Sequence, residues 1–255
     1  MRNKLNLLYY FIKKDIQAKY AGSGLGILWT VLMPLIQILL FWFVFSGIMK
    51  ARPYANTKMP YIFFLLSSFF FWLAFSEGLS RASNSIIENA EMVKKISFPN
   101  VFLPVTVTLS SYFHHMVGFI FFLIVYSFSS SASPTVFFFI PVLLLQIFFS
   151  LGMGMLFSAL LPYIRDLGQI IFPVLQMAFF LSPIIYSIEA IPEKFRIIFY
   201  FNPMTYFVTT YHKVILLKEM PSISYILVIL SLSVAAFIIG SYIFKKLRNG
   251  FADVL

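Results

Sequence analysis

Few residues of this chain have the type and spacing for covalent chemistry. His114 and His115 are the only titratable pair inside a long apolar stretch, and neighbours on a helix point about 100° apart, so they do not form an i,i+4 metal-binding couple. A proton relay or ligand role is one reading of them; neutral imidazoles hydrogen-bonded among helices is the plainer one. The run Gly22-Ser23-Gly24-Leu25-Gly26 fits neither GxGxxG after a strand nor GxxxxGK[ST], and no lysine follows it to meet a phosphate. The chain therefore has no P-loop for ATP. It has no cysteine, which removes disulfides, thiolate metal sites and thiol nucleophiles. The apolar stretches also lack the paired carboxylates of general acid/base chemistry, and together these absences argue against hydrolysis or group transfer.

The stretches that hold these residues are membrane-like. Of 255 residues, 60% are hydrophobic and 11% charged, and the mean hydropathy is +0.90, outside the range of soluble domains. The apolar residues gather at 27–49, 59–76, 97–127, 134–164, 167–187 and 222–244, each near or above the ~20 residues that a helix needs to cross ~30 Å of hydrocarbon. This predicts an all-α membrane protein with six transmembrane helices in a single domain, 1–255. The 19 Lys and Arg and the 9 Asp and Glu residues all fall outside those runs. Proton relays, voltage sensors and ion-coupled carriers keep ionisable groups within the bilayer, so any driving force is expected from elsewhere. The first run is too long for a signal-peptide core and follows a basic segment with no small-residue cleavage pattern, so it is expected to stay in the mature chain. The net charge of +10 reads as topology and lipid contact rather than nucleic-acid binding. Twelve of the 19 Lys and Arg residues lie before the first run, within 77–96, at Arg165 and after the last run, and seven lie in 50–58 and 194–218. This places both termini in the cytoplasm.

The polar pieces between the runs are informative. Leu5, Leu8, Tyr9, Ile12, Ile16 and Tyr20 share a helical face, with Lys13, Lys14 and Gln17 turned away, which predicts an amphipathic helix on the cytoplasmic surface; Gly22, Gly24 and Gly26 then allow a sharp turn into the first span. In 77–99, Ser85 and Glu88 have capping-box spacing before Glu91, Met92, Val93, Lys94 and Lys95, which predicts a short cytoplasmic helix able to enter a partner's groove; a solvated loop is the alternative. Segment 188–221 is too short to span and too apolar for a loop. Broken at Asn202-Pro203, it predicts helices over 192–201 and 203–217 that dip into the outer leaflet, or else rest on it. Aromatic residues make up 20% of the chain. Trp29, Tyr54, Tyr61 and Tyr186 suit an interfacial belt, and Trp42, Phe45, Trp72 and Tyr186 are candidates to line a path over which flat sugar faces slide. Arg165-Asp166 opens the fifth run, where it either anchors the helix end or, with Lys14 or Lys19, attracts a lipid diphosphate.

Four segments carry a family resemblance: AKYAGSGLGILWTVLMP at 18–34, NAEMVKKISFPNVFLP at 89–104, LPYIRDLGQIIFPVLQ at 161–176 and SPIIYSIEAIPEKFRIIFYFNPMTYF at 182–207. In this order and with six spans, the chain resembles type-2 ABC exporter permeases of the polysaccharide, O-antigen, capsule and teichoic-acid export family. The resemblance implies a homodimer in the bacterial inner membrane, bound to two copies of a cytoplasmic ABC ATPase subunit, exporting undecaprenyl-diphosphate-linked polysaccharide. It implies no cofactor in this chain, with ATP and Mg held by the partner. It also implies an N-terminal interface helix over 5–20, a coupling helix over 88–95 between spans 2 and 3, and re-entrant periplasmic helices over 188–217 between spans 5 and 6. The ATPase-coupling candidates are then Lys13, Lys14, Glu88, Glu91, Met92, Lys94 and Lys95, and the diphosphate candidates Lys14, Lys19 and Arg165. An exporter of drugs or simple lipids and a non-transporting assembly scaffold stay open as other readings of the same spans.

Overall fold

The computed structural model describes residues 2–19, 24, 28–50, 60–95, 98–129 and 133–255. Among them the regular elements are all helical. In chain order these are α1 (Arg2–Ala18), α2 (Trp29–Trp42, continued by a π-turn Phe43–Ile48), α3 (Tyr61–Glu88), α4 (Ala90–Lys95), α5 (Phe102–Ser129), and α6 (Phe139–Leu160, led in by a 3-10 turn Pro134–Phe138). There follow α7 (Leu167–Phe180), α8 (Glu193–Tyr200), α9 (Pro203–His212, continued by a π-turn Lys213–Leu217), α10 (Ile223–Leu247) and α11 (Phe251–Val254). The glycine-rich turn expected at 22–26 lies outside the described residues except for Gly24, as do Tyr20 and Tyr54.

Four helical stretches are long and apolar enough to cross a membrane: Tyr61–Glu88, Phe102–Ser129, Pro134–Leu160 and Ile223–Val254; Leu35–Ile48 and Leu167–Phe180 are shorter apolar helices. The chain is thus a multi-pass membrane protein built of helices. Of the most apolar window of each long helix, 67% is buried in α3 but 17% in α10, which makes α3 the central post and α10 an outer one. With 28 residues, α3 is roughly 42 Å long at 1.5 Å per residue, so about two turns of it exceed the hydrocarbon core. The helix does not stop where its apolar run ends at Ser76 but carries Glu77 and Arg81 onward, packed against α5 and α1.

That continuity corrects the capping box expected at Ser85 and Glu88. Ser85 is buried inside α3 with its hydroxyl donating to the Ala82 carbonyl at 2.7 Å, and Glu88 is the last residue of the same helix. The break falls at Asn89, whose amide donates to the Ser85 carbonyl at 2.8 Å. Side chains inside an established helix satisfy their hydroxyls on the preceding turn, and local spacing cannot distinguish that from a cap. On α1 the side turned to the bundle carries Phe11, Asp15 and Lys19, Phe11 stacking on Phe98 with centroids 6.2 Å apart, while Tyr9 is 68% exposed.

Two devices hold the bundle together. Where α6 crosses α10, a side chain on Gly152 would meet the Ala236 and Phe237 backbone and one on Gly240 would meet Gly152 itself, so backbones touch here as in small-residue membrane crossings. Phe148 and Phe237 stack beside the contact, centroids 4.0 Å apart and planes 16° apart. Deeper in the core, Gln146 of α6 donates to the Phe71 carbonyl of α3 at 2.9 Å and accepts from the Tyr211 hydroxyl of α9 at 2.6 Å. Tyr211 also stacks on Phe71, 3.7 Å between centroids. A buried amide is tolerated in an apolar interior when both its donor and its acceptor are engaged. The π-turn ending α9 exposes carbonyls that a regular helix would bond, and the hydroxyls of Thr135 and Tyr126 donate to Val214 and Ile215 there, each at 3.1 Å.

Candidate functional site

An open cleft of about 630 Å³ lies between α2, α3, α5 and α7. Helical spacing sets its walls. On α2, Met33, Gln37 and Phe41 recur every four residues; on α7, Phe172, Gln176 and Phe180 do the same; on α3, Trp72, Ser76, Glu77 and Arg81 follow one face. The cleft is closed at one level by rings: Phe41 stacks on Phe179 at 5.8 Å, and Trp72 lies 5.7 Å from Phe179. Gln37 is one turn before Phe41 and Gln176 one turn before Phe179, so both amides border the same level.

The opposite end of the cleft is charged. Glu77 Oε1 takes Lys19 Nζ at 2.7 Å and the Ser111 hydroxyl at 3.0 Å, with Arg81 Nη1 3.6 Å away; Oε2 faces His115 Nε2 at 3.0 Å. Arg81 Nη2 holds Asp15 Oδ1 at 2.6 Å, and the Ser110 hydroxyl donates to the other Asp15 oxygen. Two cations and two carboxylates from the end of α1 and from α3 therefore meet, with Ser110, Ser111 and His115 of α5 beside them, and α1 is fastened to α3 and α5 through them. Ser111 donates to the carboxylate and not to His115, so the Ser-His-Glu grouping is not arranged to activate a nucleophile. The described groups of the site are arranged to bind and position. Periodicity misses this cluster because Asp15 and Lys19 reach Glu77 and Arg81 across about sixty residues of sequence. The signal present was Glu77 and Arg81 at i,i+4 spacing directly after an apolar run.

The candidate residues fall into separate places. Lys19 lines the cleft, while Arg165 lines a different recess of about 450 Å³ with Asn84, Gly168 and Leu255; Lys14 is exposed on α1. The structure does not bring these three together. Trp72 borders the cleft but is 4% exposed, its ring covered by Phe75 and Phe179. Phe45 stacks on Tyr61 at 5.8 Å, Trp42 is exposed, and Tyr186 donates to the Phe180 carbonyl with its ring against Phe199. Phe172 and Phe180 also border the cleft, 63% and 54% exposed. Their i,i+8 spacing around Gln176 was visible in the sequence but lost among 33 phenylalanines.

Glu91 and Lys95 pair across one turn of α4, Glu88 and Lys94 are exposed, and Met92 and Val93 pack on a small second core containing Ile86, Leu103, Phe244 and Phe251. Lys13 is exposed on α1. The remaining candidates, Asn202 and Pro203, form the junction of α8 and α9. Asn202 Oδ1 accepts from Met204 N at 3.0 Å, with Pro203 in the first helical position, a favoured helix start. Its Nδ2 donates to Ala178 O, Leu181 O and Ser182 Oγ at 2.9, 3.1 and 2.9 Å, which ties the end of α7 to the start of α9. Asn202→Asp keeps the cap yet replaces the donor with an oxygen facing three others. It is expected to destabilise more than Asn202→Ala, by roughly 2–4 kcal/mol against roughly 2 kcal/mol. Thermal unfolding of the detergent-extracted protein measures the order, and an Asp variant as stable as wild type would contradict this assignment of the amide.

Residues 6–216 match the ABC-2 type transporter family. The chain is also similar to two proteins of Klebsiella pneumoniae named O-antigen export system permease protein RfbA, each 28% identical, over 98% and 100% of this chain and 95% and 99% of theirs. A protein of the same name from Myxococcus xanthus is 26% identical over 97% of this chain and 94% of its own length.

Proposed function

The chain belongs to the ABC-2 type transporter family, and from that premise we propose that it is the membrane permease of an ATP-driven exporter of lipid-linked O-antigen polysaccharide. In this reading α2 and α7, though shorter than the four long helices, complete six spans. The protein works as a homodimer in the bacterial inner membrane with both termini in the cytoplasm, joined to two copies of an ABC ATPase that supplies ATP and Mg. The chain is the conduit and receives force through α1 and α4, with Lys13, Lys14, Glu88, Glu91, Met92, Lys94 and Lys95 at the ATPase contact. Arg165, with Lys14, meets the lipid diphosphate, while Lys19 is matched by Glu77 at the charged end of the cleft; Trp42, Phe45, Trp72 and Tyr186 support the aromatic path, and Asn202-Pro203 sets the re-entrant bend.

The observation that carries this reading is the cleft, which joins open aromatic rings and unpaired amides to a charged end that α1 closes. Flat apolar ring faces suit sugars without holding them by charge, and a helix lying across the charged end is placed to move it. A path for simple lipid would need no such polar level. Reconstituted in lipid nanodiscs with its ATPase, the permease is expected to raise ATP turnover several-fold when glycan-bearing undecaprenyl diphosphate extracted from the source cells is added. Turnover that responds equally to glycan-free lipid and to glycan-bearing lipid would favour a lipid exporter, and no ATPase partner at all would leave a scaffold.

A further inference from the structure

The side-chain amides of Gln37 and Gln176 have no hydrogen-bond partner within the described residues, and both are exposed with apolar neighbours in sequence on either side. An amide that meets only lipid tails loses both its donor and its acceptor interactions, at a cost of several kcal/mol. Two such amides bordering one cleft therefore require a polar occupant. On α7 the pattern is regular: Phe172, Gln176 and Phe180 alternate ring, amide, ring at four-residue spacing, all open to the cleft. Gln37 stands in the wall that α2 contributes, at the level of Gln176 below the Phe41 and Phe179 stack.

The chemistry of the occupant follows from what these groups can and cannot satisfy. An uncharged hydroxyl is donor and acceptor at once, as a primary amide is, and an aromatic ring on either side of the amide matches the apolar faces of a sugar ring. An anion would need cations with spare charge, yet Lys19 and Arg81 at the charged end are already matched by Glu77 and Asp15. We infer that Gln37 and Gln176, with the open rings of Phe172 and Phe180, form a subsite that reads the hydroxyls of an uncharged sugar unit and leaves the lipid diphosphate to be held elsewhere. This rests on the export reading and adds the residues that discriminate glycan from carrier.

The test uses the full permease–ATPase complex in nanodiscs, with two probes: undecaprenyl diphosphate alone and the glycan-bearing carrier extracted from the source cells. The double variant Gln37→Met, Gln176→Met keeps side-chain length and helix preference and removes only the hydrogen bonds. Losing two such bonds should raise the half-stimulating concentration of the glycan-bearing carrier roughly tenfold and leave that of the bare carrier within twofold. The Leu double variant should do the same, which separates lost bonding from a local packing fault of either substitution. An equal shift for both probes, no shift for either, or dissociation of the permease dimer in both variants would overturn the subsite, the last because it would show the amides paired across two copies. A wild-type complex that the glycan-bearing carrier does not stimulate would instead sink the export reading itself.

Discussion

Gly240→Leu is expected to abolish the α6–α10 crossing, and most of the extracted protein should aggregate. The first side-chain atom at this position already falls on the Gly152 carbonyl, and backbone, unlike the far end of a side chain, cannot step aside without moving a whole helix. Overpacking a well-filled core costs about 1–3 kcal/mol when neighbours can rearrange; here they are main-chain atoms, so the helices must separate. Separation would also part the Phe148–Phe237 stack and the contact of Ser241 with the Met155 sulfur at 3.8 Å. Gly47 is the control, since a side chain there would meet only the Phe43 ring at ordinary distance, and Gly47→Ala should be neutral or slightly stabilising because alanine favours helix. Size-exclusion profiles and thermal unfolding of the two variants compare them directly. A folded, monodisperse Gly240→Leu protein would show that the helices do not approach as described.

What the residues disclosed in advance and what they hid follow one physical rule. The break at Asn202-Pro203 was legible because proline and an amide cap act on their immediate neighbours. The helices on either side, Glu193–Tyr200 and Pro203–His212, start where those local signals stand. The polar cluster was not legible, because its content is the meeting of α1, α3 and α5. Reading charge only against the apolar runs put Glu77 in a polar piece outside the span, although a carboxylate that finds Lys19, Ser111 and His115 can remain on the same helix and partly buried. The amides tell the same lesson from the other side. Gln37 and Gln176 were in view as polar residues in apolar runs, but only the shared cleft shows that two helices present them to one occupant.

Val93→Pro is expected to cut ATP-coupled export at least about a hundredfold while the permease still inserts and still binds its neighbours in the bundle. The helix it strikes, α4, has six residues, too few to survive a proline that costs about 3 kcal/mol in a helix interior. The lost amide is the one that donates from Val93 to the Asn89 carbonyl at 3.0 Å, the bond that starts the helix after the break from α3. Charge placement favours the intact form, with Glu91 in the first turn and Lys94 and Lys95 in the last, each opposing the local end of the helix dipole. Met92 and Val93 seat this helix on Ile86, Leu103, Phe244 and Phe251, so motion imposed on it would reach α3, α5, α10 and α11 together. A short rigid helix can carry such motion from a partner's groove, whereas a melted segment absorbs it. Val93→Ala trims the side chain but keeps the backbone bond, and it should retain most export. Surface polymer and ATP turnover measured together in both variants decide the matter: export at the wild-type level with α4 shown by labelling to be unfolded would remove this helix from the coupling route.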